Sequence, residues 1–141
     1  MTASEARVIV YNHFKDNWSP PNPAVTNYVF DNEAFDPEGI SEWLKVSMKG
    51  TGGGQETLGE SGNRVFRRRA VLQIQIYTTV DQGLLRLDAL AEAARDLFEA
   101  KTISLVMFNN STYLEDIEEK ETKGLWVKGL VQIFFSYDQI K

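Results

Sequence analysis

The sequence predicts an α+β fold, in which a mainly antiparallel β-sheet with a long hairpin is packed on one face by two helices. Three observations predict it. The stretch 64–77, RVFRRRAVLQIQIY, alternates with a period of two. Phe66, Ala70, Leu72, Ile74 and Ile76 point one way, while Arg67, Arg69, Gln73 and Gln75 point the other, with Val71 and Tyr77 among them. The stretch 83–100 instead repeats its apolar residues at helical spacing. The remaining apolar runs are strand-like and separated by hairpin-length connections, which favour antiparallel pairing with helices on one side.

The elements follow in chain order. Thr2 and Glu5 have capping-box spacing and open a helix to about Lys15, with Ala6, Val10 and Phe14 as its apolar stripe and Trp18 over its end. The prolines at 20, 21 and 23 stop that helix and force an extended crossing. Residues 25–30 read as a strand and 31–38 as an acidic loop. Residues 42–49 form a second strand, with Leu44, Val46 and Met48 inward and Lys45, Ser47 and Lys49 outward. Residues 50–63 carry six glycines and no periodicity, and read as a mobile loop at the tip of a hairpin. The third strand, 64–77, would reach roughly 45 Å, where strands usually have about 5–6 residues. It overshoots its own core, the first hint that the domain exists to touch something else.

Asp81 is placed to cap the main helix, 83–100, which presents Leu84, Leu87, Leu90, Ala91, Ala94, Leu97 and Phe98 on one side. Residues 103–108 form a strand, Asn109-Asn110-Ser111 a turn, and 112–120 a strand pairing back. After a second turn at 121–124 comes the last strand, 125–137. Its core face is Leu125, Val127, Val131, Ile133, Phe135 and Tyr137. Its other face still shows Trp126, Leu130 and Phe134, too much apolar bulk to be left wet. Either more of the same chain covers that face or a neighbouring subunit does.

Composition narrows the function. The 141 residues suit one domain, with 43% hydrophobic and 25% charged residues as in ordinary globular chains. With no cysteine, disulfides and thiolate metal sites are excluded. The N-terminal segment lacks a basic-then-apolar signal and no apolar run approaches the roughly 20 residues of a membrane span, so an intracellular protein is expected. The net charge of −5 argues against an extended surface for gripping phosphates.

No catalytic set emerges. His13 is the sole histidine and has no serine, cysteine or metal partner in evident spacing. The glycines at 50–62 lack the Gly-Lys-Ser/Thr and following helix of a phosphate cradle. Gly59-Glu60-Ser61-Gly62 falls one residue short of a nucleophile elbow. The acids at 31–38 lack calcium-loop spacing. The denser run at 115–121 reads as a solvated, edge-protecting strand or as the negative rim of an assembly. Arg67 and Arg69 share one strand face and Arg68 takes the other. They are either solvated or engaged in salt bridges between subunits. No catalytic residue, metal ligand or cofactor site is assigned.

The order of motifs resembles a known family. Val29-Phe30-Asp31 leads to Trp43-Leu44-Lys45-Val46-Ser47. A glycine-rich loop ends at Leu58-Gly59, and Asn63-Arg64-Val65-Phe66-Arg67-Arg68 runs into Val71-Leu72-Gln73-Ile74-Gln75-Ile76-Tyr77. Gly83 opens the helix containing Asp88-Ala89-Leu90-Ala91-Glu92-Ala93-Ala94-Arg95-Asp96-Leu97-Phe98-Glu99, and Phe134-Phe135-Ser136-Tyr137-Asp138 closes the series. Over most of the chain this is similar to tail-terminator-like (tail-completion) proteins of tailed bacteriophages and prophages, with the fold of the lambda tail protein U type.

The resemblance implies a non-enzymatic virion protein, assembled in the bacterial cytoplasm. It would form a ring with copies of itself, usually a hexamer, that caps the tail tube protein and meets the head–tail connector proteins. DNA would pass through the hole without specific binding. On this reading Arg67, Arg69, Trp126, Leu130 and Phe134 are expected at the subunit interface, and Gly53, Gln55 and Glu56 in the loop that docks on the tail. A head–tail connector or neck protein is the alternative within the same class. A small ligand-binding or enzymatic α+β domain using the glycine loop is the alternative outside it.

Overall fold

The computed structural model describes residues 1–18, 27–31, 33, 42–79, 83–116 and 126–141. In chain order the elements are α1 (Ala3–Asn17), β1 (Tyr28–Phe30), β2 (Glu42–Gln55), β3 (Val65–Thr79), α2 (Gly83–Phe98), β4 (Thr102–Ile103), β5 (Val106–Asp116) and β6 (Trp126–Ile140). The fold is α+β. Six strands make one sheet in the order β1-β2-β3-β6-β5-β4. Every pairing is antiparallel except β1 on β2, which runs parallel. The sheet is thus mainly antiparallel, as expected, with one parallel pair at its edge that the sequence did not predict.

Strand alternation puts the core on one face. Leu44, Val46 and Met48 stand opposite Ile76, Ile74 and Leu72, which in turn stand opposite Gly129, Val131 and Ile133. These side chains join Ala6, Val10 and Phe14 of α1 and Leu87, Leu90, Ala91, Ala94 and Phe98 of α2 in one buried cluster. Both helices therefore lie on the same face, as the sequence predicts.

Local chemistry fixes the helices. The Thr2 hydroxyl accepts from the Glu5 amide at 3.2 Å, and the Glu5 carboxylate accepts from the Thr2 amide at 2.7 Å. That reciprocal cap satisfies two otherwise orphaned donors. Trp18 closes α1 by stacking on Phe14, with centroids 5.2 Å apart. His13 donates through Nε2 to the Leu97 carbonyl at 3.0 Å and so joins α1 to α2. It is a structural link between helices. At Gly129 side chains of α2 and β5 press close on β6, since a Cβ there would lie 3.1 Å from Leu87 Cδ1 and Tyr113 Cε1.

Three expectations change. Residues 50–55 belong to β2 and pair with β3, so the loop is only 56–64. Glycine has no side chain to show alternation, yet its backbone pairs like any other, with a bulge between Gly50 and Gly52. Next, Asn109-Asn110-Ser111 is not a turn. It is a register shift within the single strand β5, and the chain reverses instead at Ser104 and Leu105, whose φ values are +46° and +73°. Finally, β6 continues three residues past Tyr137 to Ile140. The expected cap Asp81, the proline crossing, Leu125 and most of both acidic runs lie outside the described residues.

The overshoot is real. The core ends at Met48 on β2, begins at Ala70 on β3 and ends at Tyr137 on β6. Beyond those residues β2 runs on through seven more, all exposed, about 23 Å of strand. The paired ends of β2, β3 and β6 make an arm that leaves the helix-covered core.

Candidate interaction surface

The sheet face opposite the helices is the surface the sequence singled out. Registers give its rows, which run across β6 and β3 to β2 and begin on β5 where β5 pairs. One row is Leu114, Leu130, Gln75 and Lys45, and the next is Thr112, Gln132, Gln73 and Ser47. Farther along the arm come Phe134, Val71 and Lys49, then Met107, Ser136, Arg69 and Gly52, then Asp138, Arg67 and Gly54. No described helix lies over these rows. Lys45, Lys49, Arg69, Thr112 and Leu114 are exposed, while Leu130 and Phe134 are half-buried. At the end nearest the core, Trp43 stacks flat on Tyr77 with centroids 4.2 Å apart, and the Lys128 ammonium sits 5.9 Å from the Tyr77 ring.

Four of the five expected interface residues meet on this face: Arg67, Arg69, Leu130 and Phe134. Trp126 pairs with Thr79 at the end of β6, and its side chain lies outside the described residues. Arg67 is engaged within the chain. Its Nε donates to Asp138 Oδ1 at 3.0 Å and its terminal nitrogen to Asp138 Oδ2 at 3.3 Å. Arg69 makes no ion pair with a described residue. The two arginines, Thr51, Asn109, Phe134 and Ser136 line a depression of about 350 Å³ on the arm.

The Arg67 hydrogen bonds, and then its charge, hold the Asp138 carboxyl below its ordinary range. A carboxyl depressed in the folded state stabilises fully above its unfolded pKa, and that stabilisation is lost as pH falls through the folded value. Asp138→Asn should therefore unfold at lower urea than the parent at neutral pH. The gap should close as the buffer is taken below the carboxylate range. Urea titrations at stepped pH check this, and a gap independent of pH would refute it.

The expected docking residues lie at the far end of the arm. Gly53 has φ +128°, and a Cβ there would lie 2.0 Å from the Arg67 carbonyl oxygen, so glycine is required for the backbone approach. Gln55 Nε2 donates to the Thr57 carbonyl at 2.7 Å, and the Glu56 amide donates to the Val65 carbonyl at 2.8 Å. Both side chains are exposed, as is Leu58, the most exposed large apolar group of the described chain at 95%.

Two features escaped the sequence. Glu42 and Arg86 form a bidentate ion pair at 2.6 and 3.0 Å, with Glu42 only 2% exposed. Arg86 sits on α2 between leucines, and nothing in its spacing points to residue 42. The second feature is the outer stripe of α2. Leu85, Ala89, Glu92 and Asp96 recur at i, i+4, i+7 and i+11, opposite the buried stripe. Leu85 is 86% exposed.

Among the described residues no group of three His, Asp or Glu side chains converges as metal ligands, and no helix is long and apolar enough to cross a membrane.

No family model and no curated relative matches the sequence. Solved structures do match the fold. One, solved under a name that states no function, is similar over 100% of this chain and 98% of its own, with a TM-score of 0.70 at 13% identity. At that identity the likeness concerns the fold alone.

Proposed function

We propose that this chain is a structural protein of a tailed-phage virion, a tail terminator or tail-completion subunit that works as a self-assembled ring. The observation that carries the reading is the arm. A compact helix-braced core has no folding need for three paired strand ends beyond it, and a subunit that must reach a neighbour or a tube has that need. The order of sequence motifs points the same way. The exposed tip residues Gln55, Glu56 and Leu58 suit docking on the end of the tail tube. The ring's other side would meet the head connector, with DNA passing through the hole.

Electron microscopy of particles made without the protein tests this. Overlong tails or unjoined heads are the expected result, and normal infectious particles would refute it. A finer test uses Gln55→Ala with Glu56→Ala. Both side chains are exposed, so the variant should fold with unchanged thermal stability and fail to cap tails at normal length. Normal tail lengths in its presence would remove the tip from the docking role.

A further inference from the structure

We infer that the open sheet face is built to receive the outer stripe of α2 from a second copy of this chain. The inference rests on the self-assembly proposed above and names the two surfaces that meet.

Charge segregation carries the argument. The chain as a whole is acidic, yet its open sheet face carries Lys45, Lys49, Arg67, Arg69 and Lys128; there Asp138 is committed to Arg67, Glu56 lies within electrostatic reach of the same arginine, and Asp116 stands opposite Lys128 in register. Lys45, Lys49 and Arg69 make no ion pair with a described residue. Acids stand on the outer stripe of α2, across the core from this face. On α2, Glu92 and Asp96 are exposed, and both arginines of that helix are already engaged by acids. Arg86 is held by buried Glu42, and Arg95 lies beside Glu92, Glu99 and Ser111. The Asp96 carboxylate makes no ion pair with a described residue, and Glu92 keeps 63% of its side chain exposed while touching Arg95.

The apolar groups match as well. The stripe begins with Leu85, 86% exposed. The sheet row begins with Leu114, 56% exposed, beside half-buried Leu130. Spacing agrees on both sides. From Leu85 to Glu92 is about 10 Å and to Asp96 about 16 Å along the helix. From Leu130 to Lys45 is about 10 Å and from Leu114 to Lys45 about 14 Å across the strands. A helix crossing the sheet with Leu85 on Leu114 and Leu130 thus brings its acids to Lys45. Such a contact joins unlike surfaces, so an open assembly keeps one surface of each kind free and grows until a ring closes. Apolar contact supplies affinity, and the charges set direction and register.

The inference is tested with two variants that each spoil one surface: Leu85→Glu, and Lys45→Glu with Leu114→Glu. All three positions are exposed, so circular dichroism and melting should match the parent. By sedimentation velocity up to millimolar concentration the parent should self-associate, and each variant should do so about tenfold or more weakly. An equimolar mixture of the two should form a heterodimer and stop there, because only one good pair of surfaces remains. Combining Lys45→Glu with Glu92→Lys and Asp96→Lys in one chain should restore assembly.

Variants that associate like the parent would overturn this choice of surfaces and leave the ring intact. A parent that stays monomeric throughout would overturn it too, and the tail-length phenotype would then judge the function by itself. Binding of a single-stranded oligonucleotide that Lys45→Glu abolishes and Leu85→Glu spares would show that the face serves nucleic acid, and would also overturn it.

Discussion

Arg86→Met is expected to cost about 3–5 kcal/mol of unfolding free energy, a large share of what a domain of this size possesses. Arg86 donates through two nitrogens to both oxygens of Glu42, and the pair is almost fully removed from water. Removing one partner strands a carboxylate at 2% exposure with its desolvation uncompensated. Replacing both partners, as Glu42→Leu with Arg86→Met, should recover most of the loss, since an apolar pair of similar volume avoids the desolvation altogether. Urea unfolding of the parent, both single variants and the double variant completes the cycle. A single variant within about 1 kcal/mol of the parent, the range of a surface ion pair, would show that the pair stays hydrated in solution. The pair fastens the start of β2 to the first turn of α2, so the loss should appear as a change in the cooperative unfolding of the whole core.

Phe98→Ala is expected to cost about 3–5 kcal/mol as well, by leaving a cavity. Phe98 is fully buried, and its ring stands 4.9 Å from Phe108 of β5 and 5.2 Å from the His13 ring of α1. It is the side chain where both helices and the distal half of the sheet meet. Neighbours drawn from three elements cannot all collapse into the space it vacates, so the cost should fall toward the upper part of that range. Thermal and urea unfolding measure it. Phe98→Leu, which keeps most of the volume, should cost much less, and equal costs for the two would point to an effect other than the cavity.

Legibility in the sequence followed side-chain periodicity. The stripes of α1 and α2 and the alternation of β3 and β6 are carried by leucine, isoleucine, valine and phenylalanine, whose burial decides the element. Those elements came out in the right place. Residues 50–55 failed because glycine has no side chain with which to alternate, although its amide and carbonyl enter the ladder as well as any. The bend at Asn109 and Asn110 failed for the opposite reason. Asparagines are good turn formers, and long-range pairing with β6 overrode that local preference. The parallel placement of β1 depends on a crossover, which composition does not encode.

The candidate surface divides in the same way. That Leu130 and Phe134 share a face with Arg67 and Arg69 follows from a period of two and was readable. That Lys45 and Lys49 join them required the register between β2 and β3. Bulk charge was misleading here: a total of −5 conceals a face on which Lys45, Lys49 and Arg69 are exposed and make no ion pair with a described residue. The partnership of Arg67 with Asp138 joins residues 71 positions apart, and no local rule connects them.

The bulge between Gly50 and Gly52 has one more consequence. The outer margin of β2 along the arm faces no described strand, and a straight, apolar margin of that length would be a seed for amyloid. Here φ is +141° at Gly52 and +128° at Gly53, and the residues are too small to zip against a copy of themselves. The twist and the missing side chains deny a second molecule the regular template it would need to add on indefinitely. The arm can therefore carry a bare border without offering that template.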